Sequence, residues 1–123
     1  MKDIETRDDL EKLMWEFYSR LLKDPSINYI FTDVAKINLE SHIPHLTDFW
    51  QLSIFHTGNY KKNVMKIHLD LNEKEMFTPE HFETWLGHFE ASVNDMFEGA
   101  NAEKIKTRAH SIATVMKIKL WEA

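Results

Sequence analysis

The stretch His42-Ile43-Pro44-His45-Leu46-Thr47-Asp48-Phe49-Trp50 decides how this chain is read. Its apolar residues recur at helical rather than strand spacing. One face carries His42, Leu46 and Phe49, with Trp50 beside them. An imidazole therefore stands over an apolar floor. Pro44 lies inside the segment, where it removes one backbone bond and bends the helix or marks its first turn.

The surrounding chain repeats the helical pattern. This helix is expected from about Leu39 to His56, with Gly58 as terminator. Upstream, Leu10, Leu13, Met14, Phe17, Tyr18, Leu21 and Leu22 form one apolar stripe. Asp8 or Asp9 can cap its start, and Asp24-Pro25 ends it, because the residue before proline avoids helical angles. Ile27, Ile30 and Phe31 suggest one short helical turn. Lys61 to Leu71 reads as a loop and a short helix bearing Met65 and His68. Thr78-Pro79 is a strong helix start, and Phe82, Trp85, Leu86, Phe89, Val93, Met96 and Phe97 follow on one side. Glu98-Gly99-Ala100-Asn101 breaks that helix. The last helix carries Ile105, Ala109, Ile112, Ala113, Met116 and Leu120. The expected architecture is all-α, with about four main helices and two short ones.

Composition narrows the function classes. A chain of 123 residues reads as a single domain, 1–123, with one substantial core. Eight Phe, four Trp and three Tyr supply large flat side chains for a core or for a pocket around a flat ligand. Three Gly and three Pro are too few for a fold of many short strands. There is no cysteine, which excludes disulfides, thiolate catalysis and thioether attachment of a cofactor. The net charge of -5 argues against nucleic acid as partner. No run approaches the roughly 20 apolar residues of a membrane helix, and Met1-Lys2-Asp3-Ile4-Glu5 has no signal-peptide character. A soluble, cytoplasmic protein is expected.

His68 is the best candidate for an iron ligand. It sits in Met65-Lys66-Ile67-His68-Leu69-Asp70-Leu71, and neutral imidazole is an ordinary axial ligand of haem iron. Taken alone, the local window more often marks a half-buried structural histidine on a short helix. His42 and His45 are three apart on one helical face. As a pair they could chelate zinc, with His81 or His88 completing the set. Alternatively, His42 faces a bound ligand while His45 reaches the rim, or both are surface residues beside a bend. Tyr18 and Trp85 lie on apolar stripes, where each is either core or a donor aimed into a pocket.

Taken in order along nearly the whole chain, these blocks resemble the group III truncated haemoglobins of bacteria. The matching segments are Met14-Trp15-Glu16-Phe17-Tyr18, His42 to Trp50, His68-Leu69, His81-Phe82-Glu83-Thr84-Trp85-Leu86 and Arg108-Ala109-His110-Ser111-Ile112-Ala113. The resemblance implies a shortened globin, a two-over-two helical sandwich around one non-covalent haem b. It implies His68 as proximal ligand to the haem iron, and Tyr18, His42 and Trp85 on the distal side. Leu46 and Phe49 would line the pocket, His45 and Lys66 would meet the propionates, and Phe31, Met65, Phe77 and Phe82 would pack near the ring.

The function so implied is binding of dioxygen, nitric oxide and carbon monoxide, with an unidentified reductase as partner. Each donor to a charged ligand contributes about 1.5–3 kcal/mol. Two such donors slow release by about two to four decades. That favours nitric oxide detoxification or peroxidase-like chemistry over oxygen transport. The competing expectation is a haem-free helical protein-interaction domain, in which the same positions are ordinary core.

Overall fold

Thr6 opens the first helix, α1 (Arg7–Lys23). Its side chain accepts from the Asp9 N–H while the Asp9 carboxylate accepts from the Thr6 N–H, so two orphan donors are satisfied reciprocally. The cap is thus Thr6, and neither Asp8 nor Asp9. Asp9 serves as the third helical residue, and it also receives Lys2 Nζ at 2.6 Å. Asp24 closes α1 in extended geometry ahead of Pro25, as expected from the sequence. A short π-helical turn, Ile30–Val34, follows.

The computed structural model describes residues 1–34, 38–56 and 78–121. The short helix expected over 61–71 and the terminator Gly58 lie outside the described residues. The second helix, α2 (Leu39–Phe55), starts at the Asn38 cap and runs through Pro44. Proline cannot donate, so Glu40 loses its usual partner. Three residues on, the buried Thr47 hydroxyl donates to the Ile43 carbonyl at 2.8 Å, a back-bond that favours bending. His56 ends α2 in the left-handed region, with φ 59° and ψ 30°.

Thr78 caps α3 (Pro79–Met96), with proline at the first helical position. Phe97 ends it in extended geometry, and α4 (Ala100–Trp121) begins three residues later, so Ala100 and Asn101 belong to the last helix rather than to the break. Gly99 has φ +145°, and a Cβ there would lie 2.5 Å from Asp3 Cγ. The Asp3 carboxylate fills that space and accepts from the N–H groups of Asn101 and Ala102, both at 2.9 Å. Burial opposes its charge, and these donors outweigh it, holding the carboxyl below its ordinary range.

Helix α1 packs against α2 and α3, α3 packs against α4, and α2 touches α4. The stripe Leu10, Leu13, Met14, Phe17, Leu21 is buried, as are Phe82, Phe89 and Val93 of α3 and Ile105, Ala109, Ala113 and Met116 of α4. Each large side chain so buried contributes about 1.5–3 kcal/mol. Arg7 braces α1 against α2 through Asp48 at 2.6 Å and Gln51 at 2.7 Å. No strand occurs among the described residues, and no described helix is long and apolar enough to cross a membrane. The all-α expectation holds.

Candidate functional site

Two histidine-bearing faces meet α1 near its C-terminal half. Tyr18 comes from α1 and His42 from the first turns of α2. The Tyr18 hydroxyl and His42 Nε2 share a hydrogen bond of 2.8 Å, and the rings meet edge-on with centroids 5.2 Å apart. Tyr18 is only 4% exposed. Burial pushes its pKa well above the ordinary phenol value, because phenolate is disfavoured away from water. The hydroxyl therefore keeps its proton throughout the physiological range. If the imidazole proton sits on Nε2, His42 donates to the tyrosine oxygen, and the phenolic proton remains for a third group. If it sits on Nδ1, Tyr18 donates to His42 instead.

Beside this pair lies a partly open recess of about 30 Å³. Met14, Phe17 and Tyr18 reach it from α1, and Leu46, Phe49 and Trp50 from α2. Trp85 of α3 and Ile112 of α4 complete the wall. The aromatic rings hold one another in place. Phe17 meets Trp85 edge-on at 5.6 Å and Phe89 at 5.1 Å. Trp85 stacks on Phe89 at 5.8 Å with 17° between planes, and Trp50 lies 5.3 Å from Phe89. Phe31 stands edge-on to Tyr18 at 5.7 Å. Such ring pairs contribute beyond simple area burial and fix side-chain orientation. Among the described residues, no hydrogen bond engages the Trp85 indole N–H.

The structure thus gathers Tyr18, Leu46, Phe49 and Trp85 around one recess, with His42 joined through Tyr18 and Phe31 packed on the Tyr18 ring. Phe82 is buried in the core at 2% exposure. His45 is exposed on α2. Met65, Lys66, His68 and Phe77 lie outside the described residues. Met14, Phe17, Trp50 and Ile112 also line the recess. They stood on the apolar stripes of the sequence, but a stripe does not distinguish a cavity wall from solid core.

The zinc reading gains nothing from the geometry. His42 meets Tyr18, His81 Nε2 meets the Tyr29 hydroxyl at 3.2 Å, and His88 meets Asp24 at 2.7 Å. Among the described residues no group of three His, Asp or Glu side chains could hold a metal ion.

No family model matches the chain. A curated relative, the group 3 truncated haemoglobin of Campylobacter jejuni, is 30% identical over 119 residues, covering 94% of this chain and 91% of the relative. This chain belongs to the group III truncated haemoglobins. The crystal structure of the group III truncated haemoglobin from Campylobacter jejuni matches this globin with a TM-score of 0.87 at 29% identity, over 98% of this chain and 96% of that one. The truncated-globin expectation from the sequence therefore holds, and membership of the family implies a haem.

The described wall of this truncated haemoglobin fits such a group. It offers aromatic and aliphatic carbon to a flat apolar ring, and the hydrogen-bonded Tyr18–His42 pair to a polar ligand. The recess itself, at about 30 Å³, is far too small for a tetrapyrrole; ligand pockets of that kind run to roughly 300 Å³ or more. It adjoins the Tyr18–His42 pair.

Proposed function

We propose that this protein binds dioxygen, and also nitric oxide and carbon monoxide, at a non-covalent haem b. The observation that carries the reading is the 2.8 Å Tyr18–His42 bond at the edge of an apolar, gas-sized recess. When bound, the haem supplies an iron with one open position at which a diatomic gas coordinates. In this reading His68 holds it from the proximal side. Tyr18, His42 and Trp85 face the ligand, and Leu46 and Phe49 exclude water. Phe31, Met65, Phe77 and Phe82 support the ring, while His45 and Lys66 receive its propionates. The absence of cysteine from the chain leaves no thioether route for attachment.

The chain's own contribution is electrostatic. A ligand that draws negative charge from its partner makes charge-assisted bonds with neutral donors. Tyr18 is suited to this, because its buried hydroxyl stays protonated. His42 fixes the direction of that hydroxyl. Two neighbouring bonds in a dry site polarise each other and strengthen both. Ligand held in this way leaves slowly, which favours nitric oxide detoxification or a peroxidase-like reaction, served by a reductase in the cytoplasm, over oxygen delivery.

The visible absorption spectrum of the purified protein tests this reading. The expected result is a Soret band that shifts when the reduced protein meets carbon monoxide, and that is lost in His68→Ala. A colourless protein that takes up no added hemin would overturn it and leave a haem-free helical interaction domain.

A further inference from the structure

The charges of the last two helices are sorted by sign. Helix α3 carries Glu80, Glu83, Glu90 and Asp95 and no lysine or arginine. Beyond Glu103, residues 104–121 carry Lys104, Lys106, Arg108, Lys117 and Lys119 and no acidic residue. The two helices run side by side. Lys106 Nζ of α4 donates to Asn94 Oδ1 of α3 at 2.8 Å. A surface groove of about 340 Å³ between them is lined by Glu90 from α3 and by Glu103, Lys106, Thr107, His110 and Ser111 from α4. Along its borders, Glu83, Gly87, Glu90 and Asn94 follow at three-and-four spacing on α3, and Lys106, His110, Thr114 and Lys117 on α4. None of these is buried. Two turns on from Glu90 and His110, Glu83 and Lys117 stand at one level. Among the described residues, no ion pair engages Glu83, Glu90 or Lys117. Gly87 is a separate sign. Glycine inside a helix is destabilising relative to alanine. A Cβ at Gly87 would meet nothing within 4 Å, so the packing of this chain alone does not call for glycine there. Close approach of another backbone does.

We propose that this two-signed face joins two copies of the chain in a twofold dimer, with α3 of each copy lying on α4 of the other across Gly87. The proposal is independent of the haem reading. A half-turn about an axis parallel to both helices exchanges the acidic and basic rows, so one patch is its own complement. Glu83 of one copy then faces Lys117 of the second copy, and the symmetry makes that contact twice. Glu90 likewise faces Lys106 and His110 of the second copy. A partner of one sign alone, such as nucleic acid or an anionic membrane surface, would gain from α4 and be repelled by α3. Helix axes come as close as the side chains between them allow, and Gly87, Ala91, Ser111 and Thr114 keep that space small. Exposed ion pairs contribute little each, so the dimer is reversible and forms at high protein concentration. Salt screens its contacts and weakens it.

Sedimentation of the purified protein tests this. The expected result at low salt is a concentration-dependent rise from 14.6 kDa toward twice that mass, reversed by high salt. Glu83→Lys and Lys117→Glu each set like charges face to face, and each alone should weaken association at least about tenfold. Mixed in equal amounts, the two variants should pair with one another at close to the parent affinity, because both contacts regain opposite signs. Gly87→Leu should keep the helix content of the monomer by circular dichroism and abolish the dimer. If that variant fails to fold, the mixing experiment decides by itself. A chain that stays at 14.6 kDa at every concentration in low salt overturns the interface. A dimer indifferent to the charge reversals, or reversed variants that do not pair when mixed, also overturns it. The readout is mass, so none of these outcomes bears on the haem reading.

Discussion

Among the described residues, helix α1 and its end meet a histidine of another helix twice, and the two meetings have opposite electrostatics. Tyr18 bonds to His42 of α2 at 2.8 Å, and Asp24, at the helix end, bonds to His88 of α3 at 2.7 Å. The distances are nearly equal. The surroundings are not. Tyr18 is 4% exposed, whereas the Asp24 and His88 side chains are 25% and 27% exposed. Burial pushes the Tyr18 pKa up, so the group stays neutral. The hydrogen bond from His88, and then those from Ser26, hold the Asp24 carboxyl down at about 2, so the group stays charged. The phenol proposed to face a ligand is kept neutral in a dry place. A fastener between two helices keeps its charge near water, where charge costs little.

Four substitutions break or sharpen that contrast. The largest effect is expected from Tyr18→Phe, which removes a donor to a charged ligand worth about 1.5–3 kcal/mol. Dioxygen should leave about ten- to a hundredfold faster in stopped-flow displacement, and release at the parent rate would remove Tyr18 from the ligand's surroundings. His42→Leu leaves the phenol in place but takes away the partner that aims it. The same experiment should show a smaller acceleration, about two- to tenfold, on the scale of one neutral hydrogen bond.

The outer pair is read by stability instead. Asp24→Asn should lower the unfolding free energy at pH 7 by about 0.5–1 kcal/mol, the range of a partly exposed contact to a carboxylate. The folded-state pKa lies below the ordinary carboxylate value, so this contribution is present above about pH 4. It is lost as pH falls through about 2. Urea midpoints of parent and variant should converge across that window, and an undiminished gap at its acid end would contradict the assignment. Ser26→Ala is the mildest change. It removes the hydroxyl that donates to Asp24 Oδ1 at 2.7 Å and should raise the Asp24 pKa by carbon-detected NMR, with only a few tenths of a kcal/mol lost.

Much of this was legible in the chain. Thr78-Pro79 announces α3 because cap and proline act within four residues, and the apolar stripes follow from a fixed helical period. Other features depend on partners far away in sequence. Tyr18 and His42 are 24 residues apart, and no local pattern pairs them. The Thr6 cap escaped notice because Asp8 and Asp9 are also good cap residues, and only the backbone angles choose among them. His56 takes a left-handed conformation that the sequence suggests for Gly58, at the cost that any side chain with a Cβ incurs there. The second capping box was hidden for a chemical reason. His81 accepts the Thr78 N–H on Nδ1 at 3.0 Å, a role more often filled by glutamate or glutamine.

The clasp around Asp3 has a consequence for how the chain is made. Asp3 and Ile4 take their partners from Asn101 and Ala102, at sequence separations of 97 to 99 residues. The Lys2 carbonyl likewise accepts from the Glu98 N–H at 2.9 Å. During synthesis, residue 3 leaves the ribosome long before residue 102 exists. At about 5–20 residues per second, the first segment waits about 5–20 seconds for its partners. Helix α1 can form early from its own cap and stripe, but the corner that closes over Gly99 is joined only once residues 98 to 102 have emerged. Residues 2 to 4 thus specify contacts that cannot form until residues 98 to 102 have been made.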